Sequence, residues 1–360
     1  MISLVTFLII FGVLIIVHEF GHFVIAKLQG VRVERFSLGF GPRLLKKKKN
    51  GTEYSINAIP LGGYVKLAGD NLEEYKGNPD EYFSKTPSQR AAIIFFGPFL
   101  NYILGFLCFW LIFFVGYPAL TTKIGGLLDG YGAKEAGLEV GDKIISIDGR
   151  HVESWDDLQA LIYSKEFLAQ VKISFLRDSK EYEINIKLKE KQLDDQLGSK
   201  RKVGLLGITP FLDETIKLKY GFWQSFILSL KKTGNLTMMT SKAIWRMVTG
   251  KLSLRESVTG PLGIFYIASK AAHIGIIAVL HLIAVLSVSL AIFNLLPLPI
   301  LDGGHILLLA IEKLRGRALS LKVERIITQI GMTLIVSLAI FVTYNDILRL
   351  FGDKIARLIK

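Results

Sequence analysis

The sequence predicts a polytopic α-helical membrane protein with a soluble α/β domain inserted between its spans. Three observations carry this reading. Hydrophobic residues make up 51% of the 360-residue chain and mean hydropathy is +0.41, more apolar than a water-soluble protein needs. Several apolar runs reach the roughly 20 residues that a hydrocarbon core requires. The polar residues gather in the middle of the chain, above all from Leu120 to about Leu212, where short strand and helix patterns alternate.

The spans come first. Ile2 to about Ala26, Ala91 to Val115 and Ile326 to about Leu348 are long enough to cross by themselves. A fourth run, Ile274 to about Leu296, continues after a proline-rich break into Ile306 to Ile311. The first run lacks a basic leader and a small-residue cleavage site, so it is expected as a retained helix and not a secretory signal. The formal net charge of +13 raises nucleic acid as a partner, but the bases cluster by topology. Arg43 and Lys46 to Lys49 lie between the first and second spans; Lys313, Arg315, Arg317, Lys322 and Arg325 lie between the last two. The positive-inside rule makes both loops cytoplasmic and puts the N-terminus and the long middle region outside. Attraction to anionic lipid follows from the same charges, and nucleic acid is not needed to explain them. Cys108, the single cysteine, excludes an internal disulfide and a thiolate zinc site, and reads as a small apolar residue.

Between the spans, Val31 to Leu67 is punctuated by glycine and proline and alternates at Tyr54, Ile56 and Ala58, which predicts β-hairpins directly after the first helix. Asp70 to Gln89 is a polar, irregular or partly helical connection. In the middle region, Ala133 to Val152 reads as a helical turn, a tight turn at Gly141-Asp142, a strand, an Asp148-Gly149 hairpin and a second strand. A helix at Trp155 to Tyr163 and strands at Val171 to Phe175 and Tyr182 to Leu188 follow. The run Gly137-Leu138-x-x-Gly141-Asp142-x-Ile144 resembles that of a PDZ domain, in which His151 is a surface residue. Lys217 to Leu254 is helical, with Phe222, Trp223, Phe226, Ile227 and Leu230 on one face. Two placements stay open for it: the outer membrane surface, where tryptophan is favoured, or packed on the α/β domain.

The chemistry lies in His18-Glu19-Phe20-Gly21-His22, near the end of the first apolar run. On a helix the two histidines share one face a turn apart and can grip one Zn2+, with Glu19 beside it to take a proton from bound water. Ionisable residues are expensive in hydrocarbon, so such a set marks a functional site. A catalytic zinc takes three protein ligands and water, and the third must be another histidine or a carboxylate. Asp302 is the best candidate. It follows Pro297 and Pro299 and precedes Gly303-Gly304, which strip backbone donors from the segment and loosen it. Broken backbone at membrane depth is tolerated only inside protein or against a wet cavity. Asn294 is assigned to the developing oxyanion. Asn101 is a weaker choice, since an asparagine on a spanning helix also glues helices together. His281 and His305 are read as bystanders.

Four motifs together resemble the bacterial site-2 proteases, the intramembrane zinc metalloprotease family that includes the regulator of sigma-E protease. They are His18 to His22, Phe36-Ser37-Leu38-Gly39-Phe40-Gly41-Pro42, Gly97-Pro98-Phe99-Leu100-Asn101, and Asn294 through Asp302-Gly303. The resemblance implies zinc on His18, His22 and Asp302, Glu19 as base, a membrane-associated β-region on the cytoplasmic side and an extracytoplasmic PDZ domain. The best-known Gram-negative members carry two PDZ domains and this chain has one. Substrates would be transmembrane segments of single-pass proteins, such as anti-sigma factors or remnant signal peptides, in the bacterial cytoplasmic (inner) membrane. The PDZ domain would bind a new C-terminal carboxylate at Lys123 to Leu127, or block bulky ectodomains. The rival reading is a non-catalytic membrane PDZ scaffold or ion-path protein, which gives no reason for His18, Glu19, His22 and Asp302 to occur together. Oligomeric state is not assigned.

The expected division is therefore a first spanning helix with the zinc motif (residues 1–30), a β-region and connection (31–88), a second spanning helix (89–117) and a PDZ domain (118–215). An amphipathic helical linker (216–272), a third spanning helix with the broken segment (273–312), a cytoplasmic loop (313–325) and a fourth helix with its tail (326–360) complete it.

Overall fold

The computed structural model describes residues 2–71, 73–165, 169–194, 200–317 and 320–358. The chain forms two compact units, one of residues 1–112, 226–247 and 253–360, the other of residues 113–225 and 248–252. Among the described residues, four helices are long and apolar enough to cross a membrane: Ile2–Leu28, Pro87–Val115, Ile276–Asn294 and Arg325–Arg349.

In the first unit, α1 (Ile2–Leu28) leads into β1 (Val33–Lys49) and β2 (Thr52–Leu67), an antiparallel pair joined at Asn50-Gly51. Both turn residues have positive φ (50° and 78°), the left-handed pair that matches the twist of a two-residue hairpin. Both strands bend midway, at Gly39 and Gly62 (φ 85° and 127°), so residues 35–38 acquire partners on two sides. Ser37 pairs with Tyr64 and with Ser55, and Phe36 with Val65 and with Tyr54. The sheet is thus folded over on itself. Its buried polar groups bond to each other: Ser55 Oγ donates to Ser37 Oγ (3.0 Å) and Asn57 Nδ2 to the Gly39 carbonyl (3.0 Å). Residues 63–67 pair only with 33–38 among the described residues, and no strand pairs with their other edge.

After α2 (Pro87–Val115) the second unit begins. Its elements are β3 (Tyr117–Leu120), β4 (Ile124–Leu127), α3 (Gly132–Glu135), β5 (Lys143–Ile147), β6 (Arg150–His151) and α4 (Trp155–Tyr163). β7 (Gln170–Arg177), β8 (Lys180–Lys187), β9 (Lys189–Asp194), β10 (Lys200–Leu205), β11 (Ile208–Pro210) and β12 (Thr215–Leu218) follow. Strand order β6-β5-β7-β8 makes an antiparallel sheet, with β4 paired to β11 and β3 to β12. Ile144 and Ile147, on either side of an irregularity in β5, join Val171, Ile173 and Ile186 in one core with Leu158 and Ile162 of α4. Helix α4 starts at a reciprocal cap between Ser154 and Asp157. A groove lies between α4 and residues 205–210, lined by Trp155, Leu158, Ile162, Leu206 and Ile208. β4 does not line it: a Cβ on Gly125 would stand 2.3 Å from the Pro210 carbonyl oxygen, so this glycine is packed against the end of β11. That corrects the expectation of a carboxylate site at Lys123 to Leu127.

The chain returns to the first unit in α5 (Phe222–Val248), which buries Ser225, Ser229 and Thr233 and exposes Trp223, Ile227, Leu230 and Trp245. Thr237 meets the Tyr102 hydroxyl of α2 at 3.0 Å. A short α6 (Leu254–Ser257) precedes α7 (Pro261–Ile274), a helix of its own within the expected linker. α7 packs on α1, with Phe265 edge-on to Phe7 and Ser269 Oγ bonded to Ser3 Oγ (2.8 Å). α8 (Ile276–Asn294), α9 (Asp302–Arg315) and α10 (Leu321–Leu358) complete the chain. The buried Asp346 of α10 accepts the N–H groups of Gly260 (3.1 Å) and Gly263 (2.8 Å), capping α7 from another helix.

Candidate metal centre

Helix α1 is unbroken through its motif, so His18 and His22 share one face. That face meets α2 at glycine. A Cβ on Gly97 would stand 2.3 Å from both Cε1 and Nε2 of His22 and 3.1 Å from His18 Cε1; one on Gly21 would stand 2.2 Å from the Phe96 carbonyl oxygen. One glycine on each helix thus lets the backbones approach closely. Pro98 comes next and offers no N–H to the carbonyl four residues back, which opens this turn of α2. That carbonyl belongs to Ile94; one residue earlier, the Ile93 carbonyl accepts the Nδ1–H of His22 (2.9 Å). The bond fixes the tautomer and leaves the Nε2 lone pair facing inward.

Asp302 arrives from the opposite side. After α8 ends at Asn294 the backbone turns through residues 295–301 and re-enters a helix at Asp302. A Cβ on Gly303 would lie 2.2 Å from the Leu295 carbonyl oxygen and one on Gly304 2.1 Å from that of Leu298. The two glycines therefore admit the proline loop against the start of α9, where the sequence reading has them loosen the segment. Ile300 sits at φ 86°, a left-handed conformation that costs a residue other than glycine on the order of 1–3 kcal/mol. At its far end α9 is tied to α2: Glu312 pairs with the buried Arg90, and Lys313 Nζ donates to Ser88 Oγ (3.1 Å).

The ligand atoms converge. His18 Nε2 lies 3.2 Å from His22 Nε2 and 3.2 Å from Asp302 Oδ2, and His22 Nε2 lies 3.8 Å from Asp302 Oδ1. Tetrahedral zinc with bonds of about 2.0–2.1 Å sets its ligands roughly 3.3–3.4 Å apart, and the observed separations bracket that value. Asp302 Oδ2 is buried yet accepts no hydrogen bond, as befits a metal ligand more than a hydrogen-bonded trio. Among the described residues these three form the one cluster of His, Cys, Asp and Glu groups placed to hold an ion. Two nitrogens and a carboxylate oxygen are also the donor chemistry zinc takes.

Glu19 lines the same cavity, which measures about 570 Å³. Val65 and Leu67 of β2 form part of its wall, and the Val65 backbone amide hydrogen-bonds the Glu19 carboxylate. Gly63 brings the strand against α1: a Cβ there would lie 2.8 Å from Ile15 Cγ2 and 3.4 Å from Glu19 Cγ. Asp70, also on the wall, has its carboxyl pushed above the usual range by burial, against the opposing N–H of Leu67. Asn294 is half-buried at the last turn of α8 and does not border the cavity. Asn101 is fully buried on α2 beside His18. His305 borders the cavity outside the cluster, and His281 packs edge-on to Phe109. The sequence reading missed the roles of Gly97, Ile93 and Val65; only the Gly97-Pro98 pair within an apolar helix signalled the first.

The chain matches the description "Peptidase family M50" over residues 6–338. It belongs to that family. Among the M50 chain's relatives, the regulator of sigma-E protease RseP of Salmonella typhimurium is 30% identical over 97% of this chain and 99% of that protein. The regulator of sigma E protease of Haemophilus influenzae is 28% identical over the same shares, and a candidate zinc metalloprotease of Clostridium acetobutylicum is 34% identical over 96% of this chain and 97% of its own. A solved PDZ domain of an SdrC-like protein from Listeria monocytogenes is 28% identical, with a TM-score of 0.21, over 27% of this chain and 92% of that one. This M50 peptidase is a multi-pass membrane protein and a zinc metalloprotease of the site-2 protease type.

Proposed function

We propose that this peptidase hydrolyses peptide bonds within transmembrane segments of single-pass proteins, with zinc held by His18, His22 and Asp302. The observation that supports this most is that His18, Glu19 and His22, on a helix apolar enough to span a bilayer, converge with Asp302 on one site. Zinc, when bound, would lower the pKa of a coordinated water towards about 7. Glu19 takes up the proton and returns it to the leaving amine. Asn294, where α8 breaks, is the amide assigned to the oxyanion.

A helical substrate hides its scissile amide in its own hydrogen bonds, so it must unwind. The outer edge at residues 63–67, with no strand paired to it among the described residues, runs past Glu19 and supplies replacement bonds by strand addition. The β-region and the basic loops belong on the cytoplasmic side of the bacterial inner membrane, with residues 118–215 as an extracytoplasmic PDZ domain. That domain gates bulky ectodomains. Anti-sigma factors and remnant signal peptides are the substrate types this reading favours.

The test uses full-length protein in detergent and in membranes. Glu19→Gln is expected to retain stoichiometric zinc and lose cleavage of a single-pass reporter by more than the roughly 10²–10⁴-fold typical of general acid–base catalysis. His22→Ala is expected to lose both. Substantial cleavage by Glu19→Gln, or full zinc in His22→Ala, overturns the assignment.

A further inference from the structure

We infer that Asn101 is the residue that fixes His18 in its metal-binding tautomer, acting through the side-chain oxygen of its amide. This rests on the reading of His18 as a zinc ligand. The two histidines of α1 are symmetric in sequence but not in their supports. His22 has a determined partner: Nδ1–H donates to the Ile93 carbonyl, so Nε2 is free to bind metal. For His18, Nε2 faces His22 and Asp302, and the ring's other nitrogen meets the Asn101 amide at 3.5 Å.

Asn101 is 0% exposed, so its amide has no water to fall back on. With Nδ2 turned to His18, the amide donates to Nδ1. That arrangement requires the imidazole proton on Nε2, where it blocks coordination, and it leaves Asn101 Oδ1 buried without any partner. Rotating the amide by half a turn exchanges oxygen and nitrogen, which occupy nearly the same volume. Oδ1 then accepts His18 Nδ1–H, Nε2 carries the lone pair, and the orphaned oxygen is satisfied. One rotation frees His18 Nε2 and gives Oδ1 a donor, while Nδ2 takes the place that Oδ1 held; the two histidines acquire the same kind of support.

The position is held for this purpose. Asn101 follows Gly97 by one turn of α2, so the residue that makes room for the rings and the one that orients them share a face. Its backbone carbonyl accepts Ser287 Oγ of α8 (2.7 Å), and Ser287 is also fully buried. Asn101 is therefore a positioning residue, distinct from an oxyanion donor or simple helix glue.

The experiment measures zinc affinity of full-length protein in detergent by competition with a chromophoric chelator, and the visible spectrum of the Co2+-substituted protein. Asn101→Leu keeps the shape without an acceptor and is expected to weaken zinc affinity about 10–100-fold, the usual effect of losing such a support. Asn101→Asp keeps an acceptor and no donor, and is expected to restore affinity and the Co2+ spectrum. Should Asn101→Leu fold poorly, ¹⁵N-histidine NMR of the wild type decides: His18 must carry its proton on Nδ1. Wild-type affinity in Asn101→Leu while His18→Ala loses zinc overturns the inference and leaves the zinc site standing. Full affinity in His18→Ala overturns the zinc-site reading itself. Loss of turnover in both Asn101 variants at unchanged zinc affinity points to an oxyanion donor and also overturns the inference.

Discussion

Gly97→Ala tests whether helix packing and metal geometry are one contact. The added Cβ would lie 2.3 Å from two atoms of the His22 ring. Ordinary carbon contacts are about 3.5 Å, so either the ring or α2 must retreat by roughly 1 Å. Over-packing of this kind costs about 1–3 kcal/mol, which a multi-helix protein survives. Catalytic constellations tolerate only about 0.5 Å, and an error of about 1 Å costs on the order of 10²-fold in rate. Gly105→Ala is the control. Its Cβ would lie 2.5 Å from Val288 Cγ2 and 2.9 Å from the Ala284 carbonyl oxygen, an equal crowding of α2 on α8 away from the histidines. Cleavage of a single-pass reporter in membranes, zinc content of purified protein and thermal unfolding are compared. Gly97→Ala is expected to lose about 10²-fold in cleavage and part of its zinc; Gly105→Ala is expected to lose stability with zinc intact. Wild-type turnover and zinc in Gly97→Ala, or equal zinc loss in Gly105→Ala, refutes the reasoning.

Two further outcomes are expected. Val65→Pro removes the edge N–H that bonds Glu19, while neighbouring Tyr64 and Lys66 keep their pairing with Ser37 and Arg35. A bond to a charged group is worth about 1.5–3 kcal/mol, so cleavage should fall roughly 10- to 100-fold with zinc content unchanged; unaltered cleavage removes the edge strand from the mechanism. Arg177→Met removes the guanidinium from Asp142, which is 1% exposed, accepts from Arg177 Nε (2.8 Å) and Nη2 (2.7 Å), and would keep the Glu139 N–H (2.8 Å) but no cation. Leaving a buried carboxylate without its partner costs about 3 kcal/mol, so limited proteolysis within residues 113–225 should quicken while zinc content stays constant. An unchanged proteolysis rate counts against that ion pair as a keystone of the α/β unit.

The spans were legible because run length is a property of the chain alone, and α1 and α2 follow their apolar runs closely. The strands of the α/β unit were legible for a similar reason: alternation at Val171 to Phe175 and the Asp148-Gly149 turn are local patterns. What escaped was set by distant partners. Asp346 caps α7 across 86 residues of sequence, and nothing near Gly260 announces it. The groove in the α/β unit is likewise formed by α4 with residues 205–210, although the more glycine-rich Lys123 to Leu127 drew attention first.

In the site, the candidate ligands were legible and their supports were not, and the bilayer explains the difference. Polar residues in an apolar run stand out against their surroundings, so His18, Glu19, His22 and Asp302 could be named from sequence. A supporting carbonyl such as that of Ile93 has no sequence signature at all, because every residue carries one. Yet these supports matter more in lipid than in water. Helices there gain nothing from burying apolar surface against each other, and association falls to close backbone contact and polar bonds. Gly21 on Phe96, Gly97 on His22, and Ser287 on Asn101 are contacts of that sort. The contacts that hold α1 against α2 at Gly21 and Gly97 therefore also set the spacing of the proposed metal ligands. Loosening one must loosen the other, which is why a single methyl group at position 97 is expected to reach the chemistry.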